Sequence, residues 1–204
     1  MNILRKFNLF IKRTLDILGS GLGLLIISPL LIIVTILIKV TMPGPVFFKQ
    51  DRVGKNMKGF QILKFRTMKV DTEAEKNLDF SKDEDRITTL GKVLRRTKID
   101  ELPQLLNVFL GDMSLVGPRP TVMVQVENYT KYEEQRLNMR PGMTGLAQVN
   151  GNITLPWEQR IEYDIEYIKK FSFLLDCKIL IKTVAIVLFG EAKFKKEKSL
   201  KKIN

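Results

Sequence analysis

The stretch from Ile17 to Ile38, ILGSGLGLLIISPLLIIVTILI, runs 22 positions without a charged residue. As one straight helix it spans roughly 33 Å, enough to cross the hydrocarbon core of a bilayer. A cleaved signal peptide fits poorly, because the run is long and no small-x-small site follows before TMPGPV. Pro29 sits in the middle, where it cannot donate to the Leu25 carbonyl and its ring pushes against that turn. Ser28 can offer its hydroxyl to a freed carbonyl. Each half is then about 10 to 12 residues, half a bilayer in length. Basic residues flank both ends: Arg5, Lys6, Lys12 and Arg13 before, and Lys39, Lys49, Arg52, Lys55 and Lys58 after. Cations favour the cytoplasmic side. A helix that enters, turns at Ser28–Pro29 and leaves on the same face satisfies both flanks. A Pro-kinked spanning helix and a buried soluble helix are the competing readings.

The remaining chain has the apolar content, 45% overall, to build a core. The formal charge of +12 favours anionic partners: phosphorylated metabolites, an anionic membrane surface or nucleic acid. The aromatics sit in apolar patterns rather than in a stacking series with lysines, which argues against nucleic acid. The single cysteine, Cys177, excludes disulfides and thiolate zinc clusters within one chain and reads as a buried small hydrophobe. The sequence contains no histidine, so acid–base or nucleophilic chemistry falls first to carboxylates. A bound metal would be a hard cation on oxygen, Mg²⁺ before Zn²⁺.

After MPGP at 42–45, alternation predicts strands near 46–50 and 60–67 around a turn from Gly54 to Gly59; strand period two puts Lys64 and Arg66 on one face. The acidic segment 70–86 reads as an exposed helix or loop and the most mobile part of the chain. Helices are predicted over 88–99, over 102–110 with Pro103 at the start and Gly111 at the stop, over 122–139 and over 156–171. The run 171–190 reads as a core helix or one lying in the membrane interface with its lysines up. A basic tail closes the chain. The fold expected is α+β and mostly helical: an N-terminal re-entrant helix-break-helix over 1–42, a catalytic domain over 43–190 with a small β-hairpin and amphipathic helices at the interface, and a tail over 191–204.

KIDELPQLLNVF, residues 98–109, places Asp100 and Glu101 together just before a helix. Acids there complement the helix dipole and its free N–H groups, so capping alone accounts for them. The cations nearby, Lys64, Arg66, Arg95, Arg96, Lys98 and Arg119, exceed what two acids need, and arginine grips phosphate with a two-pronged fork. A carboxylate kept ionised by such neighbours can attack phosphorus, while a second acid helps hold Mg²⁺ on the phosphate oxygens. Both readings stand on the residues alone.

Several long ordered blocks now add to this: PGPVFFKQDRVGKNMKGFQILKFRTM (43–68), LRRTKIDELPQLLNVFLGDMSLVGPRP (94–120), RPGMTGLAQVNG (140–151), and Trp157, Asp164 and Tyr167 beyond. With the apolar helix and its Ser28–Pro29, they make the chain resemble the bacterial sugar transferase family, small monotopic phosphoglycosyl transferases, in their minimal form. The resemblance implies transfer of a sugar-1-phosphate from a UDP-sugar to polyprenol phosphate, usually undecaprenyl phosphate, with release of UMP. It implies Asp100 as the nucleophile forming a phosphosugar–aspartyl intermediate, Glu101 as its Mg²⁺-binding partner, and Pro29 as the breaker of the re-entrant helix. Lys64, Arg66, Arg95 and Arg119 are implied phosphate contacts. The implied setting is the bacterial cytoplasmic membrane, with the active site on the cytoplasmic face against the anionic inner leaflet. Asn152 departs from the family pattern, since many relatives carry Arg there, which puts donor recognition by that loop in question. The competing function is a membrane-anchored adaptor that binds anionic lipid or an acidic partner without catalysis.

Overall fold

The computed structural model describes residues 3–70 and 83–190. The acidic segment expected to be mobile lies largely, and the basic tail wholly, outside the described residues. A single helix, α1 (Ile3–Thr41), takes up the N-terminus with Pro29 inside it. The Leu25 carbonyl that Pro29 leaves without a donor is taken by the Ser28 hydroxyl at 2.8 Å. The hairpin follows as β1 (Phe47–Val53) and β2 (Gly59–Phe65), antiparallel, with Phe47 opposite Phe65 and Val53 opposite Gly59. Helix α2 (Thr89–Thr97), capped by the Thr88 hydroxyl on the Gly91 N–H, leads through a 3₁₀ turn, Ile99–Glu101, into α3 (Gln104–Leu110). Strands β3 (Ser114–Val116) and β4 (Gly142–Thr144) pair in parallel. Helices α4 (Trp157–Lys170) and α5 (Phe173–Phe189) complete the described chain.

The predicted helix over 122–139 is a correction. Only Met123–Val126 is α-helical there, and a 3₁₀ segment covers Glu133–Asn138. Thr130 and Glu133 explain the break: the Glu133 carboxylate accepts from the Thr130 N–H at 2.7 Å, a local pairing that starts a new helical turn and competes with continuing the old one. The β2 boundary also differs, since the strand stops at Phe65 and leaves Arg66 beyond it.

Both halves of α1 are packed on the body. Val34, Ile38 and Met42 form a core cluster with Phe65 of β2 and Leu94 of α2, while Leu9 packs against the cluster of Val116, Tyr167, Ile168 and Ile179. The glycines on α1 let α3 approach closely: a side chain at Gly21 would meet the Phe109 ring at 3.3 Å. Three of the basic residues expected merely to flank the membrane run are used by the body. Arg5 donates to the Ile168 carbonyl, and Arg13 donates to the carbonyls of Val108 (2.7 Å) and Phe109 (2.9 Å) at the end of α3. Lys12 is buried and pairs with Asp176 of α5 at 2.7 Å, and the Tyr167 hydroxyl donates to the other oxygen of that carboxylate. Burial pushes the Asp176 carboxyl above its ordinary range despite Lys12.

Helices α1, α3 and α5 also leave large apolar side chains exposed: Leu22, Leu25 and Ile26 on α1, Leu106, Phe109 and Leu110 on α3, and Leu174, Ile181 and Leu188 on α5. Soluble monomers rarely show so much apolar surface, so these helices mark the side that associates with a membrane.

Candidate active site

Asp100 and Glu101 lie in the 3₁₀ turn between α2 and α3, and three packing devices hold that turn. Ile99 packs into the cluster of Val34, Phe65 and Leu94 beneath it. On the α3 side, the Asn107 amide donates to the Gln61 carbonyl at 2.8 Å and its oxygen accepts the Leu63 N–H at 3.0 Å, so α3 is bonded to β2 like an extra strand. On the α2 side, Gly91 touches the backbone of Thr67; a Cβ there would sit 1.9 Å from the Thr67 carbonyl oxygen, so only glycine permits the contact. Lys98 enters the turn with φ 60°, a left-handed conformation that reverses the chain after α2.

Capping does not account for Asp100. Its side chain caps neither the 3₁₀ turn nor α3, and its Oδ1 is buried without a hydrogen-bond partner at 8% residue exposure. Burial, and then the neighbouring Glu101, raise its carboxyl above the ordinary value; Lys64, Lys98 and Arg95 pull the other way without cancelling this. Glu101 goes in the opposite direction. Burial would raise it, but Lys64, bonded to its Oε1 at 2.5 Å, together with Lys98 and Arg119, holds it below the ordinary value. Two adjacent carboxyls are thus driven apart in pKa by their different surroundings.

The cations implied by the sequence are distributed unevenly. Lys64 binds Glu101 directly, and Arg95 and Lys98 act on Asp100 through their charge. Arg95 is steadied by the Thr67 hydroxyl at 2.9 Å. Arg119 acts on Glu101 through its charge and donates to Asn152 Oδ1 at 2.6 Å. Asn152 therefore ties its loop to Arg119; its φ of 48° is one asparagine tolerates. Arg66 is committed elsewhere: it is buried, and its guanidinium donates to the carbonyls of Met42 and Pro43, closing the end of α1.

Beyond Arg119 the surface opens into a cleft walled by Arg52, Arg119, Arg136 and Arg160, with Gln148, Trp157 and Asp164. Arg136 is neutralised by Asp164 at 2.7 Å. Burial pushes the Asp164 carboxyl up to about 6 against the pull of Arg136. Sequence reasoning singled out Arg119 here as a phosphate contact and tied the Asn152 loop to donor recognition; the other arginines are scattered from 52 to 160, and the Trp157–Asp164–Tyr167 run signalled the far wall.

Fold and site together define a membrane-associated protein that presents a carboxylate pair among cations. Its family follows from sequence. The pattern of the bacterial sugar transferase family matches residues 7–190, and the chain belongs to that family. It is 44% identical to the uncharacterized sugar transferase EpsL of Bacillus subtilis over 90% of each chain. It is 44% identical to the exopolysaccharide production protein PSS of Rhizobium leguminosarum, over 87% of this chain and 94% of that one. Against the UDP-glucose:undecaprenyl-phosphate glucose-1-phosphate transferase of Klebsiella pneumoniae, the identity is 42% over 89% of this chain, which spans 41% of the longer relative.

Proposed function

We propose that the protein transfers a sugar-1-phosphate from a UDP-sugar to undecaprenyl phosphate, early in the assembly of a surface polysaccharide. The observation that carries this reading is the split carboxyl pair: a buried Asp100 oxygen without a partner beside a Glu101 held ionised by Lys64. The substrate classes come from the relatives named above.

Asp100 is the nucleophile. Its oxygen attacks the phosphorus bearing the sugar, the bond to the bridging oxygen of the diphosphate breaks, and UMP departs with that electron pair. An oxygen of the lipid phosphate then attacks the same phosphorus, the phosphorus–aspartyl bond breaks, and the carboxylate is regenerated. A carboxylate poor in hydrogen bonds and raised in basicity is a stronger nucleophile than a solvated one. Lys64, Lys98 and Arg95 offset the repulsion between the carboxylates and the incoming diphosphate. Mg²⁺ suits the donor chemistry here: Asp100 and Glu101 are adjacent carboxylates, Asp100 Oδ1 has no hydrogen-bond partner, and Mg²⁺ is commonly held by one or two carboxylates with phosphate oxygens and water completing its shell. Glu101 and Asp100 would hold it, and when bound it supplies charge neutralisation on the phosphate oxygens.

The same reading makes α1 re-entrant on the cytoplasmic leaflet of the bacterial membrane. Supporting this, contacts with the body recur along α1 from Arg5 to Ile38; the interval from Gly23 to Leu31 covers about 12 Å of helix, far short of a bilayer core of about 30 Å. Ser28 and Pro29 lie in that interval, where the helix can bend into the lipid and return.

The test is UMP release from a panel of UDP-sugars by the intact protein with Mg²⁺ and undecaprenyl phosphate. A labelled donor supplied without lipid should leave a phosphosugar adduct on the protein, visible by intact mass. Asp100→Asn should lose both the adduct and at least about 10³-fold of the rate. Release by that variant at the parental rate would sink the covalent mechanism.

A further inference from the structure

The cleft beyond Arg119 has a chemistry the transfer steps above do not use. Four guanidinium groups meet there and Asp164 is the only carboxylate in its lining. Arg136 is spent on Asp164, leaving Arg52, Arg119 and Arg160 with unbalanced charge. Burial and then the charge of Arg119 lower the pKa of Arg52, as two cations forced together without an anion must do. Four polar atoms of this lining, Arg52 Nε, Arg160 Nε, Gln148 Oε1 and Asp164 Oδ1, are buried without a hydrogen-bond partner. Unpartnered buried polar atoms gathered in one cleft are uncommon in a native protein and mark a place suited to a polar ligand.

The orphans also describe that ligand. The arginine nitrogens need acceptors carrying negative charge, which a phosphate provides. Gln148 Oε1 and Asp164 Oδ1 need donors, which a fully ionised phosphate lacks and which ribose hydroxyls or the N3–H of uracil provide. None of the lining residues comes from α1, α3 or α5, the helices with exposed apolar faces, so the cleft serves a ligand that arrives from water. Arg119 links it to the acid pair, since its charge acts on Glu101.

We infer that the cleft of Arg52, Arg119, Gln148 and Arg160 binds the nucleoside monophosphate portion of the sugar donor, with the arginines on the phosphate and Gln148 reading the nucleoside. This rests on the donor being a nucleotide sugar, as proposed above. The cleft then holds the part of the donor that leaves, while Asp100 and Glu101 act on the part that is transferred.

Trp157, the only tryptophan in the chain, lies in the cleft wall with Arg136 and Arg160 each within 5.3 Å of its ring, so its emission reports occupancy. UMP, uridine and inorganic phosphate are titrated separately into the intact protein in nanodiscs, reading Trp157 emission and, in parallel, equilibrium dialysis of labelled ligand. UMP should bind saturably, and more tightly than phosphate or uridine. Arg52→Gln and Arg160→Gln should each weaken UMP by about tenfold or more, and Gln148→Leu should weaken UMP while leaving phosphate unchanged. Asp100→Asn should still bind UMP, so a failure of the covalent mechanism is read separately from a failure here. No saturable UMP binding, binding unaffected by the two arginine variants, or equal affinity for UMP and inorganic phosphate would each overturn the assignment.

Discussion

Replacing Asp100 by Asn separates two readings of the acid pair by the sign of a stability change. If Asp100 were a helix cap, removing its charge at the start of α3 would destabilise the protein by about 0.5–2 kcal/mol. The structure gives the opposite sign, because the side chain caps nothing and its Oδ1 is buried without a partner beside a second acid. A buried acceptor left unsatisfied costs about 1–3 kcal/mol, more when charged, and Lys64, Lys98 and Arg95 return part of it. Asn keeps the shape and removes the charge, so the variant should gain about 1–2 kcal/mol, a rise of roughly 2–8 °C in Tm for a chain of this size. The pH dependence follows from linkage. The folded-state pKa of Asp100 is raised above its unfolded value, so the parent is penalised once Asp100 ionises and recovers as pH falls through the folded pKa. The advantage of the variant should therefore be full near pH 8 and shrink in acid. Calorimetry of both proteins in the same detergent across that range measures it. A variant less stable than the parent at neutral pH, or a difference that does not change with pH, would refute the electrostatic account of the site.

Lys64→Met removes the charge that holds Glu101 down and partly offsets the rise in Asp100, so both acids should titrate higher; the acid limb of the transfer rate should move up in pH and the rate near neutrality fall about 10- to 100-fold, read from UMP release against pH. Lys12→Met should cost about 3 kcal/mol by stranding the buried Asp176 carboxylate, a deficit widest near pH 8 and narrowing in acid as Asp176, already raised, takes a proton; adding Asp176→Asn should recover much of it by thermal melting, and failure of that rescue would mean the pair does not anchor α1.

Local chemistry carried the reading of the apolar helix and of the helix ends. Pro29 and Ser28 announced the freed Leu25 carbonyl and its replacement donor because both partners lie within one turn. Gly111 stopped α3 and Thr88 capped α2 for equally local reasons. The reading failed where two local signals competed: the apolar pattern over 122–139 favoured one helix, but Thr130 with Glu133 restarted the chain. It was silent wherever a side chain's role depends on a distant partner. Lys64 and Arg66, two residues apart and alike in charge, diverge because β2 ends between them; one reaches Glu101 and the other the carbonyls that end α1.

The sequence by itself determined that this protein associates with a membrane and which family it belongs to, since each follows from the kinds and order of residues along the chain. The tertiary structure alone decided how those carboxylates differ. Burial and then Glu101 push Asp100 up, while Lys64, brought across 37 positions, with Lys98 and Arg119 outweighs burial and holds Glu101 down. It also gathered arginines from positions 52, 119, 136 and 160 around one cleft. Charge and desolvation depend on distance in space, and the order of residues in a chain does not fix that distance until the chain is packed.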